Sequence, residues 1–337
     1  MHAPDGLLNV GTALATGAIS LACVSWSVKR AGADIEHRAI PLAGVCGAFL
    51  FAAQMINVPV AVGASGHILG AALAAILLGP HLGSLSSAVV VLVQALLFAD
   101  GGLTALGYNT LNLAIIPAFG GYALFLLFRR LFPATTSGVV ASTGFASAGS
   151  VLLAAAAFSI EWLFGATVAV PFDTVFGAMV GAHLAIGIGE GLLTAALVSV
   201  VIKARPDIVF GARDIFESGQ IKAGVESPIK TRSFALASIA VACVLGLVVS
   251  QFASGSPDGL ERVVEDTGIG AKSSSSSIVD SAFADYATAG IANQELSLAV
   301  AAGVGLLVTG ITTLGIVQAS RIAEEPGTSR RAKTAGA

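Results

Sequence analysis

Residues 172–202 read FDTVFGAMVGAHLAIGIGEGLLTAALVSVVI, and after Asp173 the only ionisable side chains in that run are His183 and Glu190. About 20 consecutive apolar residues in a helix cross the hydrocarbon core of a bilayer. A run this long and this apolar leaves no polar face with which a soluble helix would meet water. Working outward, apolar runs bounded by charge, Gly or Pro recur at about 8–28, 39–57, 64–79, 82–99, 105–128, 137–164, 233–252 and 296–317. The expectation is an all-α, polytopic membrane protein of about nine transmembrane helices. The run at 64–79 is short, and its glycine-rich start at 63–66 predicts irregular backbone sheltered by the rest of the protein.

Composition points the same way. Of 337 residues, 55% are hydrophobic and 11% charged, against roughly 25% charged in a soluble domain. Membrane lipid is therefore the expected surrounding. The net charge is −3 with no long basic run, which argues against a nucleic-acid partner. Cys23, Cys46 and Cys243 fall inside apolar runs without C-x-x-C spacing, so they read as small buried hydrophobes and not as a disulfide framework or zinc site.

Nine spans place the termini on opposite sides, and the basic residues divide cleanly between the two sets of loops. One set holds Lys29, Arg30, Arg38, Arg129, Arg130, Lys203, Arg205, Arg213, Lys222, Lys230, Arg232, Arg321, Arg330, Arg331 and Lys333, and the other only Arg262 and Lys272. By the positive-inside rule the N-terminus is expected outside and the C-terminus in the cytoplasm of a multi-pass cell-membrane protein. No Lys or Arg precedes Lys29, so the start lacks the basic region of a secretory signal and is expected to be retained. The expected domains are a seven-span block at 1–205, a cytoplasmic linker at 206–232, a two-span module at 233–320 and a disordered cytoplasmic tail at 321–337. The module's outer loop, about 253–295, carries SPDGLE at 256–261 and a serine run at 273–277. Small residues at helical spacing, Ala18 with Ala22 and Gly66 with Gly70, read as close helix packing within the chain or a docking face for another membrane subunit.

The sequence contains no G-x-x-x-x-G-K-[ST], no nucleophile elbow, no H-E-x-x-H and no EF-hand loop. It is not expected to be an enzyme or to carry a prosthetic group, and energy for any pumping must come from another subunit. The histidines are more informative. His37 and His81 fall near the expected cytoplasmic face, where a solvated loop residue is the plain reading, while His2 and His67 fall at the opposite face. The α-amine of Met1, the backbone nitrogen of His2 and its imidazole Nδ1 can close two fused, coplanar chelate rings on one metal ion. His67 is the candidate for the fourth in-plane position. A flat nitrogen site suits Ni(II) or Cu(II) and disfavours tetrahedral Zn(II). The competing reading is a terminal residue and an interfacial polar group with no shared role. His183 and Glu190, seven residues apart on one helix face, read as interhelical hydrogen-bonding groups or as polar positions on a metal pathway. Asn109 and Asn112 read as interhelical hydrogen bonds or as groups that orient an imidazole.

MHAPDGLL at 1–8, FAAQMIN at 51–57, GASGHILG at 63–70 and VQALLFADGGLTALG at 93–107 resemble the CbiM/NikM family, the substrate-specific S components of cobalt and nickel energy-coupling factor transporters. PDGLE at 257–261 between two spans resembles the CbiN/NikN-like accessory module, giving a NikMN-type fusion. The resemblance implies metal ligation by Met1, His2 and His67, with His67 following the turn at Ser65 and Gly66. It implies Ni(II) as the imported cargo, or alternatively Co(II) feeding cobalamin biosynthesis. It also implies a transmembrane coupling (T) subunit and two cytoplasmic ATP-binding subunits as partners. Ala3 and Leu7 stand where many relatives have Ile and Phe, which spares the ligands and alters the packing around them.

Overall fold

A computed structural model describes residues 2–34, 39–61, 64–217, 229–274 and 281–324. Helices dominate: α1 (Val10–Asp34), α2 (Ala39–Gln54), α3 (Ala71–Leu78), α4 (Pro80–Leu97), α5 (Leu106–Thr110), α6 (Ile116–Leu131), α7 (Thr136–Gly165), α8 (Phe172–Ala204), α9 (Arg213–Glu217), α10 (Thr231–Leu247), α11 (Gly259–Thr267) and α12 (Gln294–Glu324). Among the described residues seven stretches are long and apolar enough to cross a membrane: α1, α4, α5 running into α6, α7, α8, α10 with the turn after it, and α12. The shorter α2 is as apolar as these. The chain is thus a polytopic helical membrane protein. On α8 the outward residues Leu184, Ile188 and Leu192 are 51%, 56% and 69% exposed, whereas His183, Glu190 and Thr194 point into the bundle. Lipid accepts the first set, and only protein partners accept the second.

The expected third span differs from its reading. Instead of one helix over 64–79, β1 (Val58–Ala61) and β2 (Ala64–Gly66) form an antiparallel hairpin, and α3 follows with only eight residues. Eight residues rise about 12 Å, less than half of a bilayer's hydrocarbon core. Gly79, at φ +91°, breaks the chain between α3 and α4, a conformation that costs glycine nothing. Pro80 then opens α4 in its first turn, where its missing N–H is no loss.

Close packing explains how polar residues survive in the bundle. The α7–α8 contact brings Gly144 and Gly191 so near that a Cβ on Gly191 would lie 2.6 Å from the Gly144 carbonyl oxygen. Hydroxyls of Ser87, Ser142, Thr143 and Ser159 donate to carbonyls four residues back in their own helices, and Ser250, in the turn after α10, donates to the Gly246 carbonyl of that helix, which satisfies them without water. Helices α10 and α12 pack on α2: Gly47 leaves room for Thr313, and Gly305 for the Phe51 ring. The two-span module is therefore built into the same bundle.

Residues 206–217, expected as linker, form short helical turns tied to the bundle. Arg129 pairs with Asp214 at 2.8 Å and donates to the Gly211 carbonyl, while Arg205 binds Asp207 and the Thr231 hydroxyl that opens α10. Residues 218–228 lie outside the described set. So does 325–337 of the expected tail, whose first residues, 321–324, continue α12.

Candidate metal centre

Residues 2–8 do not hang free. The Asn109 side-chain amide grips Ala3 from both sides, accepting from its N–H at 2.9 Å and donating to its carbonyl at 3.0 Å. The Ala3 carbonyl also accepts from the Gly102 N–H at 3.0 Å. Asp5 Oδ1 accepts from both the N–H and the hydroxyl of Thr104, at 2.7 and 2.6 Å. The Tyr108 hydroxyl reaches the Pro4 carbonyl, and that of Thr167 the Leu7 carbonyl. Ala3, Leu7 and Leu8 are buried. A terminal segment normally frays; this one is fixed by partners from several elements.

That anchoring sets His2 beside His67. The two rings stack with centroids 5.6 Å apart and planes 26° from parallel. His2 Nδ1 lies 3.2 Å from Asp100 Oδ1, and Nε2 lies 3.0 Å from the Gln94 side-chain oxygen. Burial pushes the His2 imidazole below its ordinary pKa, against the pull of Asp100. A neutral ring donates from one nitrogen only. Turning the Gln94 amide over, which also gives its buried nitrogen a partner, accompanies the neutral form with the proton on Nδ1. Burial likewise holds His67 well below the usual imidazole value. Its Nδ1 is 3.2 Å from the Ile68 carbonyl, which places the proton there and leaves Nε2 unprotonated in the neutral ring.

The loop of the two-span module closes over this pair. The Ser65 N–H donates to the Pro257 carbonyl at 2.8 Å and its hydroxyl to the Ser256 carbonyl at 2.7 Å. Asp258 caps α11: its Oδ1 accepts from the N–H groups of Leu260 and Glu261, and Glu261 accepts in return from the Asp258 N–H. This reciprocal box puts Asp258 Oδ2 at 4.0 Å from His67 Nε2. Farther along, Ser274 N–H donates to the Asp5 carbonyl, and Tyr286 donates its hydroxyl to Asp100 Oδ2 at 2.6 Å. Burial and the Asp100 carboxylate both raise Tyr286, so the phenol keeps the proton it donates. Among the described residues no three His, Cys, Asp or Glu side chains lie together as a metal-holding group; side chains alone do not make a three-ligand site here.

Residues 2–208 match the family described as cobalt uptake substrate-specific transmembrane region, and residues 232–321 match the PDGLE domain. The chain is 30% identical over 342 residues to the fused nickel transport protein NikMN of Rhodobacter capsulatus, covering 92% of this chain and 96% of the relative. It is 34% identical over 216 residues to the cobalt transport protein CbiM of Sorangium cellulosum, covering 62% of this chain and 94% of the relative. A crystal structure of a truncated transition metal transporter superposes with a TM-score of 0.54 at 30% identity, covering 60% of this chain and 99% of that one. This chain belongs to the CbiM family. Such proteins are metal-transport components and not enzymes, and the relatives' names divide between nickel and cobalt.

Within this CbiM-family chain, the other singled-out residues find distinct places. Asn109 touches Ala3 and not an imidazole, and Asn112 donates to Glu161 at 2.7 Å within the membrane-spanning part. Glu190 accepts from the N–H groups of Leu69 and Gly70 at 2.7 and 2.9 Å. His183 Nδ1 lies 2.7 Å from the Met179 carbonyl of its own helix, and its Nε2 has no hydrogen-bond partner. His183 lines a small cavity with His67, Asp258 and Gly259. His81 is not the solvated loop residue expected: it sits in the first turn of α4, edge-on to Trp26 at 4.5 Å and near Phe119 at 5.3 Å. His37 and Met1 lie outside the described residues. All three cysteines are free and half-buried on helices, more exposed than expected.

Sequence reasoning singled out neither Gln94, Asp100, Asp258 nor Tyr286. Gln94, Asp100 and Asp258 were legible only as members of recognisable motifs, VQALLFADGGLTALG at 93–107 and PDGLE at 257–261, without a task for any of them.

Proposed function

We propose that this protein is the substrate-binding subunit of an energy-coupling factor importer for Ni(II), holding the metal in a square-planar set of four nitrogens. The Met1 α-amine, the His2 backbone nitrogen, His2 Nδ1 and the His67 imidazole supply that set, and residues 1–205 form the unit that carries it. Supporting the reading is the meeting of His2 and His67 in one buried place, with ring centroids 5.6 Å apart, although 65 positions separate them in the chain. Two neutral imidazoles are ready ligands, because metal competes with protons for nitrogen lone pairs.

The surrounding groups then have definite tasks. Asn109 fixes the terminal segment so that the chelate rings form without first ordering the chain. Asp100 orients His2 through Nδ1 in the metal-free protein, and when metal takes Nδ1 the neutral ring keeps its proton on Nε2, 3.0 Å from the Gln94 side-chain oxygen. Asp258 brings a carboxylate near the bound cation from the two-span module. The N-terminal end of the bundle faces outward, where metal arrives, and a coupling T subunit with two ATP-binding subunits completes the importer.

Competition among Ni(II), Co(II) and Cu(II) for the purified full chain tests the assignment, with His67→Ala as control. The expected result is tight Ni(II) binding with the absorption of a planar nitrogen complex, weakened in His67→Ala. Equal binding by His67→Ala overturns the ligand set, and a clear preference for Co(II) moves the cargo to cobalt.

A further inference from the structure

Glu190 lies in the middle of a membrane-spanning helix, 2% exposed, and its two carboxylate oxygens face one stretch of main chain. Oε2 accepts from the Leu69 N–H at 2.7 Å and Oε1 from the Gly70 N–H at 2.9 Å. Those donors sit two and three residues after His67, where the chain turns into α3. Gly70 is the residue before that helix, at φ +72°, and has no side chain with which to cap it. Helix starts present N–H groups without partners inside the helix, and in lipid each such group left unpaired costs several kcal/mol. The two amides leading into this helix are instead held from α8, 120 positions away in the chain.

The match is chemical as well as geometric. Two parallel N–H donors need two acceptors, and an ionised carboxylate offers only acceptors. Glutamine at this place would turn an NH2 toward one of the donors, and aspartate would fall a methylene short. The stretch is tethered elsewhere too. The Gln54 amide donates to the Leu69 carbonyl at 2.8 Å, and Ser65 is fastened to Ser256 and Pro257. On the same face of α8, the Ile186 side chain fills the space where a Gly66 Cβ would be, 2.7 Å away. His67 thus stands on a short segment held from three sides, and only the α8 tether is a carboxylate.

We infer that Glu190 is the positioning residue for the metal centre: by clamping the Leu69 and Gly70 amides it fixes the depth and direction from which the His67 imidazole reaches the metal. This rests on the reading of His67 as a ligand, and it assigns Glu190 a task in ligand geometry and not a place on a metal pathway.

The test uses the purified full chain as wild type, Glu190→Gln, Glu190→Asp, and Thr194→Val as a control one turn along α8. Three properties are read: Ni(II) affinity by competition, the absorption of the nickel complex, and amide hydrogen exchange of the peptide containing residues 65–70 without metal. Glu190→Gln is expected to weaken Ni(II) binding by about tenfold or more, to shift the nickel absorption, and to speed exchange in that peptide. Glu190→Asp is expected to recover little of this, and Thr194→Val to change none of the three. A Glu190→Gln protein with wild-type affinity, absorption and exchange overturns the inference. A wild-type protein that binds no nickel, with the exchange difference still present, refutes the nickel reading and leaves the clamp standing. Should Glu190→Gln fail to fold, Glu190→Asp with unchanged nickel absorption overturns the inference in its place.

Discussion

Gly259 packs against the Nε2 and Cε1 atoms of the His183 ring: a Cβ at that position would stand 2.8 Å from His183 Nε2 and 2.7 Å from the end of the Ile186 side chain. The glycine of the PDGLE motif is thus required by contact with α8. Its neighbour Asp258 reaches the His67 region because the glycine allows the box to seat so deeply.

Gly259→Ala should therefore unseat the loop while leaving the N-terminal segment's own anchors in place. Overpacking a tight site costs about 1–3 kcal/mol, so a lower thermal midpoint of the full chain is expected. Metal uptake in cells should fall with it. Wild-type stability and uptake in this variant would mean that the loop does not rest on His183 in the working protein.

A second expectation concerns Asn109, which supplies two hydrogen bonds to Ala3 from one side chain. Removing a partner of a buried polar group costs about 1–3 kcal/mol. Asn109→Ala is expected to loosen the residue next to His2 and lower Ni(II) affinity by roughly tenfold, that being the equivalent of about 1.4 kcal/mol. Calorimetric titration of the variant checks this, with Asn112→Ala as a comparison that should leave affinity near wild type, since Asn112 pairs with Glu161 instead.

The pH response follows from burial. Both imidazoles are pushed below their ordinary value of 6.5, so below that pH the unfolded chain binds more protons than the folded one. The metal-free protein should lose stability as pH falls from about 6.5, since stability rises with pH wherever the unfolded state holds the extra protons. Above that range both rings are already neutral and release nothing when metal binds. Proton release on Ni(II) binding near neutral pH should then come from the terminal amine, with an unperturbed pKa near 8, and from the His2 amide. An affinity falling about ten- to hundredfold per pH unit from 8 to 7 is expected, one to two protons leaving per metal ion. Calorimetry in buffers of different ionisation enthalpy counts them. His67→Ala should leave the count unchanged, and a loss of one proton in that variant would contradict a neutral His67.

Much of this architecture is legible in the sequence because lipid is a strict solvent. A run such as 172–202 has few alternatives to a spanning helix. The break at 64–79 is legible only in part: the glycines announce irregular backbone, but the hairpin and the shortness of α3 depend on Glu190, Gln54 and Ser256, which meet that stretch from elsewhere in the chain. The approach of His2 to His67 was legible as one of two readings, a shared site or a terminal residue and an unrelated interfacial group, and the structure stacks the two rings with centroids 5.6 Å apart. Asp100 and Tyr286 are not legible as a pair, since a phenol and a carboxylate 186 positions apart leave no periodic trace. The seating of Asp258 beside His67 is hidden for the same reason, because it joins two modules whose separate patterns say nothing of how they dock.

The most decisive expectation concerns chain length at the start. A five-membered ring through the amine and the His2 backbone nitrogen, fused to a six-membered ring through Nδ1, exists only when a single residue precedes the histidine. Inserting one alanine between Met1 and His2 moves the amine one residue farther from Nδ1 and replaces two fused rings with three. The tethers on Ala3 and Asp5 fix everything that follows, so the added residue has to be accommodated at the amine end. The inserted protein should fold with a thermal midpoint close to wild type, because no described hydrogen bond is lost. Its three fused rings bring the amine, two backbone nitrogens and the histidine Nδ1 into one plane, so Ni(II) binding should no longer need His67, and adding His67→Ala should cost it nothing. Acetylating the amine of the native chain should weaken Ni(II) binding at least about a hundredfold without changing length, the upper range for disturbing the surroundings of a metal ligand. If the acetylated protein binds nickel as the native one does and the inserted one still depends on His67, the terminal amine is not a ligand, and the stacking of His2 on His67 serves packing alone.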